Sequence, residues 1–349
     1  MRRLRARGTG SAFTLVEVLV ASTIIVVMMG FMILVMDQTT RVWAGASAKV
    51  EQFREARTGF ERVSSRLTQA TLNTYWDYDS ATKPTRYLRQ SELRFITGSA
   101  RSLLGANNVD NTAARITHAV FFNAPLGITG SVNYTGLENA LNTLGYFVEL
   151  GDDSALRPSF ITPAMVPSRW RFRLIEFVQP TENFSVYQFT SGNPAALTNA
   201  WFTTDVSNAT VLKRVVAENV VAFVVTPRLS KAEELPLQTN PTHSPLAPNY
   251  NYSSTDTNAD PRLNRKNQLP PVVQLTMVAV DEKSAAKLNL SSTGDANTFG
   301  LTALFADTTK FAADLATLEK TLSTRRVRYR IFTTNVHIRA AKWSREQIN

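Results

Sequence analysis

Three histidines are the side chains best suited to acid–base or metal chemistry, and their positions favour neither. His118, His243 and His337 are far apart in the chain, and no two have the spacing of a metal-binding pair. We expect each of them to be a structural or a solvent-exposed histidine. The chain has no cysteine, which excludes disulfides, thiolate catalysis and cysteine-based zinc sites.

Motifs for other common chemistries are also absent from the sequence. There is no G-x-S-x-G, no H-E-x-x-H and no glycine-rich phosphate loop. Oxygen ligands that suit calcium occur at Asp152-Asp153 and at Asp256 and Asp260, but neither group has EF-hand spacing. We therefore predict a protein that is not an enzyme and that needs neither a cofactor nor a metal.

Arginines alternate with apolar residues in two stretches that resemble strands. The alternating residues are Trp170, Arg171, Phe172, Arg173 and Leu174 in the first stretch, and Arg326, Val327, Arg328, Tyr329, Arg330 and Ile331 in the second. Arginine between aromatic residues can follow a phosphate backbone. Such alternation is, however, first the pattern of a half-buried strand with one face in water, so nucleic acid is not the partner that we expect.

One apolar run with a single acidic residue is more informative. Residues 13–36 contain no proline, and Glu17 is their one charge. A helix of this length spans roughly 36 Å, enough to cross a bilayer. Residues 1–12 are basic, with four arginines and no acid. The sequence predicts a single membrane helix, a cytoplasmic basic tail and a large body on the other side.

Glu17 needs an explanation, because a charge within a membrane helix costs about 2.5–3.5 kcal/mol on insertion scales. One explanation is that Glu17 lies near enough to the interface to reach water. The other is a cationic partner. If the chain were cut before Phe13, the new α-amino group would lie four residues from Glu17, and the same group on a neighbouring copy could pair with Glu17. We favour the second explanation.

The sequence around this position resembles the type IV prepilin signal. That family has a short basic leader, a small residue before the cut, then Phe-Thr-Leu-hydrophobic-Glu and a long apolar helix. The resemblance implies that a prepilin peptidase cuts between Ala12 and Phe13, that Phe13 becomes N-methylated, and that Thr14 and Glu17 act in assembly. The family usually has Gly at the position of Ala12. The apolar run is longer than the 7–15 residues of a secretory signal peptide, the competing interpretation.

Apolar residues recur every three or four positions between residues 42 and 70, which predicts an amphipathic helix that continues the membrane helix. Strand-like stretches follow it. We predict a basic leader at residues 1–12, a transmembrane and assembly helix at 13–36, an amphipathic continuation at 37–76 and an extracytoplasmic region at 77–349. Within that region, residues 230–269 are rich in Pro, Asn, Thr and Ser and predict a long mobile surface loop.

A long N-terminal helix followed by antiparallel strands predicts an α+β fold with the helix packed on the sheet. Size and element order resemble the J-type minor pseudopilins and the PilW-like minor pilins, and residues 217–228 and 269–288 are similar to the Verru_Chthon cassette protein C family, itself prepilin-like. The resemblance implies a structural subunit of a type IV pilus or a type II secretion-like filament. Its partners would be other pilin-like subunits, the prepilin peptidase and the inner membrane, with the body in the periplasm or on an extracellular filament.

Two other functions remain open on the sequence. A membrane-anchored periplasmic binding or enzymatic domain would use the helix only as an anchor. A DNA-binding, competence-type pilin would use the arginines of residues 326–330. The net charge of +10, which would fall to +6 without the four leader arginines, is compatible with an acidic partner but does not select one.

Overall fold

The structure is a computed structural model that describes residues 14–104, 115–158, 160–162, 164–189, 199–206, 212–238 and 245–344. The chain forms two compact units, Met1–Glu51 and Gln52–Asn349, which are described separately. Helix α1, with the bounds Leu15–Leu67, contributes residues to both units.

In the first unit, α1 contains the apolar segment Leu15–Thr40, which is long enough to cross a membrane. Residues 14–40 are all exposed. No proline interrupts the segment, and threonine hydroxyls such as that of Thr39 bond back to carbonyls one turn earlier. The segment is therefore a helix whose apolar side chains are not covered by any part of the chain that the structure describes.

In the second unit, the last four turns of α1 are amphipathic, as predicted. Ala56, Phe60, Val63 and Leu67 are buried, and their spacing of four, three and four puts them on one face. The helix ends at Leu67, well before the predicted residue 76. Thr71 donates its backbone N–H to the carbonyl of Asn123, so the chain here bonds to a neighbouring strand instead of continuing the helix.

Nine of the described strands form two larger antiparallel sheets, and β8 of the smaller sheet contacts the larger one. The larger sheet has the order β7-β6-β5-β4-β3-β9. Its strands are β3 Phe95–Ser99, β4 Arg115–Pro125, β5 Leu141–Gly151, β6 Arg171–Gln179, β7 Leu212–Glu218 and β9 Tyr252–Ser253. The smaller sheet has the order β11-β10-β8, with β8 Val220–Arg228, β10 Val272–Val280 and β11 Tyr329–His337.

Short elements complete the second unit. Strands β1 Tyr75–Tyr78 and β2 Tyr87–Gln90 form a separate antiparallel hairpin. The remaining helices are α2 Ala100–Leu104, α3 Ala200–Val206, α4 Lys231–Gln238, α5 Glu282–Lys287 and α6 Phe311–Thr324. The described elements are thus α+β with antiparallel sheets and an apolar N-terminal helix, which confirms the predicted fold class in its coarse form.

Strands β4 and β8 join the two sheets. A bulge at Thr117 and His118 interrupts the pairing of β4 with β5, and Thr117 has a positive φ of 58°. The bulge turns both side chains towards β8, where the N–H groups of Phe223 and Val225 donate to the Thr117 hydroxyl and to His118 Nδ1. The core lies around this junction.

The end of α1 packs between the two sheets. The Phe60 ring lies 5.8 Å from that of Phe332 in β11. A Cβ at Gly59 would lie 3.1 Å from the carbonyl oxygen of Val216 in β7, so the helix backbone is close to that strand. The predicted packing of the amphipathic helix on sheet is present within this unit.

The described parts of residues 230–269, the segment predicted as a long mobile loop, contain regular secondary structure. They include α4 and β9, and Tyr250 and Tyr252 are buried. The Tyr252 ring packs edge-on against Phe95 in β3, and its hydroxyl donates to the carbonyl of Gln268 at 2.8 Å. The polar composition suggested a loop, but the tyrosines supply the apolar surface that fixes the segment to the sheet edge.

Gly145 in β5 offers a test of this core. A Cβ at this position would lie 2.2 Å from Cε1 of Phe121, whose ring is stacked at 3.9 Å on Phe202 and cannot retreat. We expect Gly145→Ala to lower the free energy of unfolding by about 1–3 kcal/mol, measured by chemical denaturation. Gly151→Ala is the control, because the nearest atom to its Cβ would be 3.7 Å away. Equal stability of the two variants would contradict the packing described.

Candidate assembly segment and other candidate sites

The start of α1 has a reciprocal cap made by two of the predicted assembly residues. Thr14 donates its backbone N–H and its hydroxyl to Glu17 Oε2 at 3.0 and 2.9 Å. In return, the backbone N–H of Glu17 donates to the Thr14 hydroxyl at 3.3 Å. This arrangement is a capping box, which satisfies N–H groups that a helix N-terminus otherwise leaves unpaired.

The capping box gives Glu17 a local role that the sequence analysis did not weigh. The Thr-x-x-Glu spacing could have revealed it, because this is the pattern of a capping box. Both bonds from Thr14 reach Oε2, and Oε1 has no hydrogen bond to any residue in the described part of the chain. The cap therefore uses only one of the two carboxylate oxygens. The predicted processing residues, Ala12 and Phe13, lie outside the described residues.

The sequence predicted that the arginines of the first alternating stretch lie on a solvent-exposed face. The structure differs from this prediction. Arg171 and Arg173 are both buried in β6, where Arg171 pairs with Glu282 at 2.7 Å and Arg173 with Glu218 at 3.4 Å. The alternation misled because acidic residues from α5 and β7 cover this face, and they are remote in sequence. These arginines have their counter-ions and offer no track for a phosphate backbone.

The second stretch agrees better with its prediction. Arg326, Arg328 and Arg330 are exposed, whereas Tyr329 and Ile331 are half-buried. Strand β11 begins only at Tyr329, since Arg326 has a positive φ of 55° in the turn after α6. The arginines are thus accessible on the edge strand of the smaller sheet, next to its turn.

The aspartates considered for calcium are used in turns. Asp153 accepts the N–H of Arg169 at 2.8 Å and pairs with Arg157 at 2.9 Å, and Asp260 caps a short turn and pairs with Arg262 at 2.7 Å. Among the described residues, no group of three or more His, Asp or Glu side chains is arranged to hold a metal ion.

His118 is a buried structural histidine. Its Nε2–H donates to the carbonyl of Phe305 at 3.0 Å, and Nδ1 accepts the N–H of Val225 at 3.2 Å. Burial lowers the pKa of His118 to about 4, although the Phe305 carbonyl opposes the shift. The neutral ring is therefore part of the junction between β4 and β8. His337 is exposed at the end of β11, and His243 lies outside the described residues.

Sequence reasoning missed a buried carboxylate that holds α1 on the larger sheet. Glu176 in β6 is 1% exposed and accepts bonds from Arg62 of α1 at 2.6 and 3.1 Å and from the Tyr146 hydroxyl at 2.7 Å. The hydrogen bond to Glu176 is the main reason why the pKa of Arg62 is raised. Glu176 shares its strand face with the apolar Phe172 and Leu174, and an acid in that pattern requires a partner.

No family model, curated protein or solved structure matches this chain.

The position of His118 predicts a pH dependence of stability. Its pKa is about 4 in the folded protein and 6.5 when unfolded, so the unfolded state binds more protons between these values. The contribution of neutral His118 to the free energy of unfolding is fully present above pH 6.5 and is lost as the pH falls towards 4. We expect a loss of about 2 kcal/mol from this group between about pH 7.5 and pH 5.

The measurement is urea unfolding of the full chain in detergent at both pH values. His118→Gln should remove most of the difference between them, whereas His337→Gln, which changes an exposed ring, should leave it intact. An unchanged pH dependence in His118→Gln would contradict the assignment.

Proposed function

We propose that this protein is a structural, minor pilin-like or pseudopilin-like subunit. It inserts into the inner membrane through α1, with its body in the periplasm or on an extracellular filament. A prepilin peptidase cuts it between Ala12 and Phe13, and it then joins other pilin-like subunits in a type IV pilus or a type II secretion-like filament.

The observation that carries the proposal is the uncovered apolar segment Leu15–Thr40 with its acidic start. A helix of 26 residues with no buried side chain needs an apolar environment from outside the chain. A bilayer meets this need before assembly, and the helices of neighbouring subunits meet it afterwards. The leader, the Phe-Thr-Leu-Val-Glu motif and this segment occur together in the order that the prepilin resemblance implies.

Glu17 has two tasks in this proposal, and one carboxylate can perform both. Its Oε2 closes the capping box with Thr14, so the first turn of the helix stays formed. Its Oε1 accepts a bond from the N-terminal ammonium of a neighbouring subunit. In an apolar environment such a charge-assisted bond is stronger than in water, which favours the correct register between helices.

The second unit supports a structural role as well. Its sheets, the end of α1 and the buried ion pairs form one compact unit. In the proposal, this body determines the position of the subunit and its partners, while the N-terminal segment supplies the assembly contacts.

The processing step is tested by the mass and N-terminal sequence of the protein coexpressed with a prepilin peptidase. We expect a mature chain that begins with N-methylated Phe13. Ala12→Arg should block the cut, because the position before the bond takes a small residue, and Gly10→Ala should leave it unchanged. A mature N-terminus at Met1, a cut after Gly10 or a cut between residues 37 and 50 would each overturn this part.

The role of the charge is tested with Glu17→Gln, which preserves an acceptor oxygen for the capping box and removes the negative charge. We expect cross-linked adducts with coexpressed pilin-like subunits to fall at least about tenfold, since a charge-assisted bond contributes about 1.5–3 kcal/mol. Thr14→Ser, which retains both charge and cap, is the control. Normal assembly of Glu17→Gln would restrict Glu17 to capping and would leave a membrane-anchored domain as the better explanation.

A further inference from the structure

The hairpin of β1 and β2 presents one aromatic face to solvent. Trp76 is directly opposite Arg89, and Tyr78 is opposite Tyr87, so all four side chains share a face. Trp76, Tyr78 and Tyr87 are 59%, 50% and 60% exposed. The Tyr78 and Tyr87 rings stack at 4.8 Å, and Arg89 Cζ lies 5.6 Å from the centre of the Trp76 ring. These four residues form an ordered surface, the aromatic face.

A polar cleft of about 320 Å³ adjoins this face, and Arg89 belongs to both. The residues that line the cleft are Thr71, Leu72, Asn73, Thr74, Arg89, Asn267, Gln268, Leu269, Ala340 and Lys342. Two of them are cationic, and none of these described lining residues is acidic. The cleft is therefore positively charged and rich in hydrogen-bonding groups.

Arg89 has only neutral partners among the described residues. Its Nη1 donates to Gln268 Oε1 at 3.3 Å and to the carbonyl of Lys342 at 2.8 Å. The half-buried position lowers the pKa of Arg89, because burial disfavours the charged form. The guanidinium has further N–H donors, and a carboxylate in the cleft could accept two of them in parallel.

The acidic residues in and beside the hairpin accept hydrogen bonds from groups other than Arg89. Asp77 is on the opposite face and accepts the N–H of Tyr78 at 2.8 Å, and Glu92 accepts the Tyr75 hydroxyl at 2.6 Å. Asp79 bonds to Thr85 in the connecting loop. These carboxylates have partners of their own, so the charge of Arg89 stays available for another molecule.

The cleft is held in place by bonds on its far side. Asn267 Nδ2 donates to the carbonyl of Arg89 at 2.7 Å, which fixes β2 against this segment. The carboxamide of Gln268 accepts the N–H of Ser344 at 2.8 Å, and the Gln268 carbonyl accepts the buried Tyr252 hydroxyl. A ligand would enter a formed site and would not have to order it, which favours affinity.

We propose that the aromatic face and the cleft together dock an acidic polypeptide segment of another subunit. A carboxylate of that segment pairs with Arg89 in the cleft, and an adjacent apolar side chain covers Trp76 and Tyr78. Trp, Tyr and Arg are the residues that most often dominate binding energy at protein interfaces. That the partner is a fellow subunit rests on the proposed function, whereas the chemistry of the site does not.

A nucleic acid strand suits this surface less well than a polypeptide does. Binding to a phosphate backbone is supported by several cations along a track. Here Arg89 and Lys342 are the cations among the lining residues, and Asp77 and Asp79 belong to the same hairpin. One carboxylate with a neighbouring apolar group matches the charge and the aromatic surface more closely.

The test uses the full chain in detergent micelles and saturation-transfer NMR, which detects weak ligands of large particles. The probes are two peptides, N-acetyl-Phe-Glu-amide and N-acetyl-Phe-Gln-amide, which differ in charge and not in shape. We expect the Glu peptide to bind about tenfold more tightly, as one charge-assisted pair implies. Because both peptides enter micelles through the same phenylalanine, the Gln peptide corrects for detergent.

Single substitutions test which residues bind the peptides. Arg89→Gln should reduce the affinity for the Glu peptide to that for the Gln peptide, and Trp76→Ala should weaken both. Arg86→Gln, an exposed arginine of the same hairpin outside the cleft, should change neither. Unfolding midpoints of all variants show whether the hairpin remains folded. If Arg89→Gln lowers the midpoint, Arg89→Lys, which preserves the charge but not the bidentate fork, should give an intermediate affinity.

Three outcomes would overturn the proposal. The first is equal binding of the two peptides, including no binding of either. The second is an Arg89→Gln variant that binds like the wild type. The third is displacement of the Glu peptide by octathymidylate or by chitotriose at lower concentration than by the peptide itself, which would assign the face to nucleic acid or to a glycan. These results do not depend on leader processing, so the proposed function and this site can fail separately.

Discussion

The arrangement of the second unit depends on one buried carboxylate. Glu176 lies on the apolar face of a central strand, and removing it from water would be costly without charged and polar partners. Arg62 of α1 and Tyr146 of β5 supply them. Because the ion pair and hydrogen bond join the helix to two neighbouring strands, they fix where the helix lies on the sheet. Apolar packing by Phe60 and Val63 adds stability but is less directional.

The two parts of α1 thus differ in how far their side chains are covered by the rest of the described chain. From Ala56 onward, one face of the helix is covered by sheet, and Arg57 and Arg62 pair with Glu61 and Glu176. Between Leu15 and Thr40 every side chain is exposed, and Glu17 bonds within its own first turn. A soluble helix would have buried an apolar stripe. This segment is apolar all around, which is the composition of a helix that other molecules surround.

Local patterns predicted much of the fold, and long-range contacts account for what they missed. The period of the end of α1 was readable, because the spacing of its apolar residues decides it locally, and the strand-like alternation at residues 170–174 overlaps β6. The environment of Arg171 and Arg173 could not be predicted from the sequence, because Glu282 and Glu218 come from distant parts of the chain. The Tyr252 contact with β3 was missed for the same reason. In the candidate assembly segment, the motif pointed to Thr14 and Glu17, and their Thr-x-x-Glu spacing is also the pattern of the capping box that they form.

The charged residues fall into two groups: those with an oppositely charged partner in the chain, and those whose described partners are neutral. Four buried charges have internal counter-ions, namely Arg115, Arg171, Arg173 and Glu176. Glu17 and Arg89 differ, because their hydrogen-bond partners among the described residues are neutral: Glu17 lies in an exposed apolar segment, and Arg89 lines a cleft without a described acid. An ion in such surroundings is stabilised most by an opposite charge from outside. These two residues are therefore where we propose that a second molecule binds, one in helix assembly and one in docking on the second unit.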